Sequence, residues 1–339
     1  MPHLESIRAP AMALVVLIHF GAIPERFSWI GGIGLRMFFV LSGFLITALL
    51  MAARGRAEKS DGSLQREAAR FFERRALRLL PVFYLTLFVA AAAKVPQVRD
   101  AFFWHLFYAS NIYTVKAGYW TGPASHFWSL AVEEQFYFLW AWVILFVPRT
   151  RLAAVTMSVF CIGAAWRLGT EWMGMNQLQR GALLPGCFDS LGAGSLLAIW
   201  SAEGVHGERY IKFCRNFGLA GFVIPTVVAL FVHFPAAVIS APSLSLVFVW
   251  MIARAAAGFR GALGWIFSRR PLIFTGRVSY GMYVYHNFMP GLWRHAAEHF
   301  HLSTEGPVSA AAPYVLATVA AIVSWYLLEQ PVQRLRLKI

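Results

Sequence analysis

The sequence predicts an all-α integral membrane protein with about ten transmembrane helices and both termini in the cytoplasm. Three observations predict it. Of 339 residues, 58% are hydrophobic and 16% aromatic, and only 14% are charged, against roughly one quarter in soluble domains. Mean hydropathy is +0.57. The apolar residues gather in runs suited to a hydrocarbon layer about 30 Å thick, with the basic residues mostly between them. The formal net charge of +14 would suggest nucleic acid in a soluble chain. Here it fixes topology and meets anionic headgroups of the lipid bilayer, so no nucleic-acid partner is expected.

The candidate spans run near Arg8–Ala22, Gly34–Met51, Leu79–Lys94, Phe127–Val147, Leu152–Leu168, Leu184–Ser201, Phe217–Val232, Ala236–Ala256, Pro271–Trp293 and Val308–Leu328. Gly and Pro breaks blur the first two and the eighth. With the N-terminus inside, alternation puts most of the 30 lysines and arginines in cytoplasmic segments. These are Arg8, the group from Arg54 to Arg78, Arg149 and Arg151, Arg209 to Arg215, Arg254 to Arg277, and Arg334, Arg336 and Lys338. Moving one span would reverse several loops and spoil that bias. Glu5 and the lack of a small-residue cleavage site make the first run a retained span, not a removed signal peptide. Residues 1–339 read as a single transmembrane domain, with a cytoplasmic basic loop over 52–78 and an outer loop over 95–126. No residues remain for a fused soluble domain. Cys161, Cys187 and Cys214 form no CxxC or Cys/His pattern, so neither a disulfide framework nor a metal site is expected.

Several polar residues stand inside or beside these runs. Arg8 and His19 are eleven residues apart, roughly 20° apart on one helical face and about 16 Å apart along the axis. With Arg8 at a surface, His19 falls near mid-membrane, where a titratable imidazole is a functional-site hypothesis. Arg66, Arg70, Arg74 and Arg78 repeat every four residues beside an apolar stripe. That pattern fits an interfacial amphipathic helix, or an anion site, since guanidinium forks suit phosphate. Glu133 and Glu134 open the fourth span near the outer face. Helix capping is the favoured reading, binding of acceptor hydroxyls the other. Asp189 sits at the edge of the sixth span as a packed acid or a binding group, and the glycines around it suit close helix packing. Tyr280 and His286 lie among aromatics in the ninth span, where a structural histidine is the plainer reading. Glu329, after the last run, calls for a cation partner, one of the arginines.

Together these motifs resemble one family, the acyltransferase-3 group of membrane-bound O-acyltransferases. Its Arg-x10-His is Arg8/His19. Its Phe-Phe-Val-Leu-Ser-Gly-Phe-Leu-Ile stands at Phe38–Ile46, and its Phe-x-x-Arg-Arg at Phe71, Arg74 and Arg75. Its Trp-Ser-Leu-x-x-Glu-x-Gln-Phe-Tyr is Trp128–Tyr137, its Ser-Tyr-Gly-x-Tyr-x-x-His is Ser279–His286, and its Glu-x-Pro is Glu329–Pro331. Two positions depart from the pattern. Glu5 replaces the usual Asp, and Cys187 stands where the family commonly has an Arg before the acid at Asp189.

The resemblance implies acyl-CoA, chiefly acetyl-CoA, as a cytoplasmic donor substrate, with no permanently bound cofactor. The acceptor would be a hydroxyl of an extracytoplasmic glycan or glycolipid, with lipopolysaccharide and peptidoglycan among the options, at a bacterial inner membrane. His19, Arg8 and Glu329 would be catalytic, with His19 as general base or as an acyl-His nucleophile. Arg74, Arg75 and Arg78 would hold the donor, and Glu133, Glu134, Asp189, Tyr280 and His286 the acceptor. The competing class is a transporter or flippase without chemistry. The six motifs in family order and the lack of an internal repeat weigh against it.

Overall fold

The computed structural model describes residues 1–20, 29–60, 62–204, 207–231 and 236–335. Among them no strand occurs. The helices are α1 Pro2–Ser6, α2 Arg8–His19, α3 Trp29–Lys59, α4 Leu64–Ala92, α5 Phe102–Leu106, α6 Ser110–Ala117, α7 Phe127–Phe146, α8 Arg149–Trp172, α9 Gln177–Ala182, α10 Phe188–Ala202, α11 Glu208–Phe231, α12 Ala236–Ala257, α13 Gly261–Phe267, α14 Arg270–Tyr285, α15 Met289–His299, α16 Gly306–Ser324 and α17 Gln330–Leu335. Each of the ten predicted runs falls on helix. Seven helical segments among the described residues are long and apolar enough to cross a membrane. The first, sixth and ninth runs fall instead on α2, α10 and α14, of 12, 15 and 16 residues. Ala22, Val232, Arg336 and Lys338, which figured in the predicted spans and topology, lie outside the described residues.

The stretch 52–78 corrects the expectation of a loop, because residues 52–59 and 64–78 are helical. Its charges are helix-compatible. Arg54 pairs with Glu58 at 2.8 Å four residues on, and Arg70 with Glu67 at 2.9 Å three residues back. Arg56 of α3 reaches Glu67 of α4 at 2.8 Å and closes the corner. Ser63 caps α4 by accepting from the Arg66 amide. The apolar part of α4 is thus continued by an arginine-rich turn, not terminated by it. The 95–126 segment is also folded, carrying α5, α6 and a short turn at Gly122–Ala124.

Three apolar cores hold the helices. One joins α1, α2 and α3 to α10, α11 and α12 through Ile7, Leu41, Phe44, Leu197 and Ile252. A second joins α3, α4, α7, α8 and α10 through Leu50, Phe136, Trp140, Leu152 and Leu191. The third joins α2, α4, α7, α14 and α16 through Val16, Phe83, Phe127, Met282 and Ala321. Helices in lipid associate by close packing, and small residues permit it. Gly43 of α3 and Gly194 of α10 do so here. A Cβ on Gly43 would collide with the Leu191 carbonyl oxygen, and one on Gly194 with that of Val40.

Candidate active site

A cavity of about 200 Å³ opens between α2, α3, α4, α7 and α14. Its apolar wall comes from α3, with Leu35, Phe38, Leu45 and Leu49. Its polar wall gathers Arg8, Arg75, Arg78, Glu133, Tyr137 and Tyr280. Arg8 of α2 reaches over the Phe38 ring, 5.9 Å from its centroid. Arg75 lies 3.6 Å over the Tyr137 ring, and its Nε is 3.5 Å from Glu134 Oε1. Tyr280 donates to the Leu79 carbonyl at 2.8 Å. Arg8 Nε and Arg75 Nε are buried and form no hydrogen bond. Such N–H donors carry an unmet desolvation cost.

This arrangement corrects several expectations. Phe83 of α4 packs 4.7 Å from Phe127 at the start of α7, and Phe72 lies 5.9 Å from Phe138. Arg75 therefore stands opposite the first half of α7, level with Glu133 and Glu134. The donor arginines and the two carboxylates occupy one place, not opposite faces. Nor do Glu133 and Glu134 cap α7, whose first turn holds no acid. Glu133 lines the cavity, and Glu134 pairs with Arg75. Arg74 is exposed and off the cavity, because successive helical residues point about 100° apart. Asp189 is fully buried away from the cavity. Its carboxylate meets Arg167 Nε at 2.8 Å and Arg36 Nη1 at 3.5 Å, and its Oδ1 accepts from the Ser190 amide at 2.7 Å. It is a packed, paired acid with no face open to an acceptor. Glu329 is buried in a π-helical turn, Trp325–Glu329, where it accepts from Ser324 Oγ at 3.3 Å and is electrostatically coupled to Arg78. It does not line the cavity.

His19 does not line the cavity either. It is exposed at the C-terminal end of α2, level with the residues that open α7. Its ring meets that of His286 edge-to-face at 4.9 Å, and His286 meets His126 at 4.8 Å. His19 Nδ1 lies 2.8 Å from the Val15 carbonyl. A carbonyl only accepts, so Nδ1 carries the N–H and Nε2 of the neutral ring is the free base. Between this cluster and the cavity stand two cavity-lining hydroxyls, Ser129 Oγ and Tyr283 Oη, 2.5 Å apart. Both lie 3.2 Å from the His126 carbonyl, which accepts from one hydroxyl while the other donates to its neighbour. Among the described residues, no three His, Cys, Asp or Glu side chains converge as a metal site would.

Of the predicted residues, Arg8, Arg75, Arg78, Glu133 and Tyr280 share the cavity, and His19 and His286 share the histidine cluster. Sequence reasoning missed Ser42, Tyr137, Ser129 and Tyr283, although all four stand inside the quoted motifs. It also missed His126, two residues before Trp128, and Arg36 and Arg167, which read as ordinary basic residues at the ends of apolar runs.

A family model described as an acyltransferase domain matches residues 2–329. YrhL of Bacillus subtilis, named for peptidoglycan O-acetylation, is 28% identical over 318 residues, 84% of this chain and 48% of that protein. The peptidoglycan O-acetyltransferase OatA of Listeria monocytogenes is 27% identical over 321 residues, 84% of this chain and 49% of that protein. The O-acetyltransferase OatA of Staphylococcus aureus is 33% identical over 163 residues, 43% of this chain and 25% of that protein. The chain thus spans about half the length, or less, of these relatives. No solved structure matches it.

Proposed function

Because this chain belongs to the acyltransferase family whose model matches residues 2–329, we propose that it transfers an acyl group, acetyl, from acyl-CoA to a hydroxyl of an extracytoplasmic glycan. His19 is the general base. The names of its relatives favour peptidoglycan over lipopolysaccharide as that glycan. A multi-pass membrane protein with this activity belongs in the bacterial inner membrane, its Arg8 end facing the cytoplasm by the positive-inside bias.

The observation that carries the reading is two buried guanidiniums in a cavity with an apolar wall, Arg8, whose Nε has no hydrogen bond among the described residues, and Arg75, whose Nε is 3.5 Å from Glu134. Such a cavity suits an amide carbonyl or phosphate oxygen of the carrier portion of an acyl-CoA. The long pantetheine arm runs on from there and brings the thioester within reach of His19. The acceptor arrives at the other end of α2, where His19 Nε2 is free. His19 takes the hydroxyl proton as the acceptor oxygen bonds to the acyl carbon. The C–S bond breaks, and the leaving thiolate takes up the proton.

Proteoliposomes with radiolabelled acetyl-CoA on the Arg8 side and a soluble muropeptide on the other test this. Ester-linked label on the muropeptide is expected, and His19→Ala should lower its rate by about 10²–10⁴-fold. Wild-type transfer by His19→Ala would sink the role of His19. Muropeptide flux without label transfer would make the chain a carrier. Intersecting initial-rate lines are expected for direct transfer, and parallel lines would mark an acyl-His intermediate.

A further inference from the structure

His286 is fully buried, and its Nε2 has no hydrogen-bond partner. Its Nδ1 lies 2.6 Å from the Tyr283 carbonyl. That carbonyl can only accept, so Nδ1 bears the N–H and Nε2 of the neutral ring bears the lone pair. A basic nitrogen is therefore enclosed in an apolar region with nothing donating to it. The ring it belongs to packs edge-to-face against His19 at 4.9 Å. Behind it, the His126 ring nitrogens face the Pro123 carbonyl at 3.0 Å and the Val284 carbonyl at 3.1 Å, and the neutral ring donates to one of the two. Asn287 Nδ2 donates to the same Pro123 carbonyl at 3.0 Å. These bonds tie the 122–124 turn to the end of α14, and the Tyr283 carbonyl holds Nδ1 of the His286 ring. The rings packed against His286 are those of His19, Phe20, His126 and Tyr283.

We infer that His286 is a positioning residue of the transfer site, its buried Nε2 stabilising the imidazolium that forms when His19 takes the acceptor proton. The inference rests on the reading of His19 as the base. A catalytic histidine is commonly oriented by a third group that also favours its charged form, most often a carboxylate. An ionised carboxylate is costly to keep in a membrane layer. A neutral imidazole lone pair offers the same polarity toward a cation without a charge of its own. The proton remains on His19 until the thiolate takes it up, and His286 is neutral throughout. His126 stands one step further back, its ring packed against that of His286.

The test uses the full chain, reconstituted as above, with labelled acetyl-CoA and muropeptide and three variants. His286→Phe keeps an aromatic ring against His19 and removes the lone pair. His286→Asn restores an acceptor oxygen without the ring. His19→Ala checks the underlying reading. The expected result for His286→Phe is a kcat at least tenfold lower, with KM for both substrates within twofold of wild type. His286→Asn should recover part of that loss. A wild-type kcat for His286→Phe, a loss confined to KM, or equal losses in Phe and Asn would overturn the inference. Should His286→Phe fail to yield monodisperse protein, His286→Asn is compared with His286→Ala. Asn above Ala supports the inference, and Asn equal to Ala overturns it. His19→Ala at the wild-type rate removes the base reading itself. An inactive His19→Ala beside an unaffected His286→Phe removes only this inference.

Discussion

At Arg167, one side chain decides whether a buried charge is tolerable. Asp189 has no exposure, and its nearest cation is Arg167 at 2.8 Å, with Arg36 more distant at 3.5 Å. Arg167 also donates from Nη2 to the Gly186 carbonyl, so the same guanidinium closes the turn before α10. Removing one partner of a buried pair leaves an uncompensated charge, at a cost of about 3–5 kcal/mol. Arg167→Ala should therefore lower the unfolding temperature in detergent sharply, and Arg167→Ala with Asp189→Asn should regain much of the loss. An Arg167→Ala single variant as stable as wild type would refute the pairing as a source of stability. This ion pair was not legible in the sequence. The family's usual arginine position is Cys187, and the replacement comes from α8, 22 residues from Asp189. The Arg74–Arg75 doublet shows a related limit. Neighbouring residues on a helix cannot share a face, and which of the two points inward is set by Tyr137 and Glu134 on another helix.

Among the helices, the α3–α10 contact is a close approach made possible by glycine. Gly43 and Gly194 each lie against a backbone carbonyl of the opposite helix. Gly43→Ala should force the two helices apart and cost about 1–3 kcal/mol as overpacking. Gly32→Ala, with nothing near its added carbon, should be neutral or slightly stabilising. Thermal unfolding of both variants checks this, and equal melting temperatures would contradict it. The helices themselves were readable, because hydropathy alone marks buried and lipid-facing runs. Their ends were less so. The arginine-rich start of α4 looked like a loop because charge outweighs propensity in a hydropathy window, although its i,i+3 and i,i+4 pairs favour helix. The depth of Arg75 followed from the same error. A helix continuing through residues 64–78 carries Arg75 to the level of Glu134, and no local pattern announces the register between α4 and α7.

Across the whole molecule, the 95–126 segment is a small folded cap joined to the bundle by apolar packing, Tyr108 stacking 4.4 Å from Phe83 and Phe102 lying 5.8 Å from Phe88, and by polar contacts. Gln135 Nε2 of α7 donates to the Tyr108 carbonyl at 2.8 Å and to Asn111 Oδ1 at 2.9 Å. Beneath the cap, His105 is buried beside Phe127, with Ser110 Oγ at 2.8 Å from Nδ1. Burial lowers the His105 pKa from its ordinary 6.5 to about 4. The unfolded cap thus binds a proton that the folded cap resists. Cap stability is complete above pH 6.5, falls as pH drops toward 4, and levels off below, a loss of about 3 kcal/mol at most. Amide exchange over residues 102–117 should therefore quicken between pH 6.5 and 4, and His105→Asn should flatten that response. An equally acid-sensitive His105→Asn cap would refute the assignment. Helix α2 has a mechanical consequence. Its 12 residues form one unbroken rod with Arg8 in the cavity and His19 at the far tip, about 16 Å away. A short helix with its hydrogen bonds intact moves as a single body, so any displacement that a guest imposes on Arg8 is delivered to His19. The cavity and the histidine cluster are coupled by a lever with no joint in it.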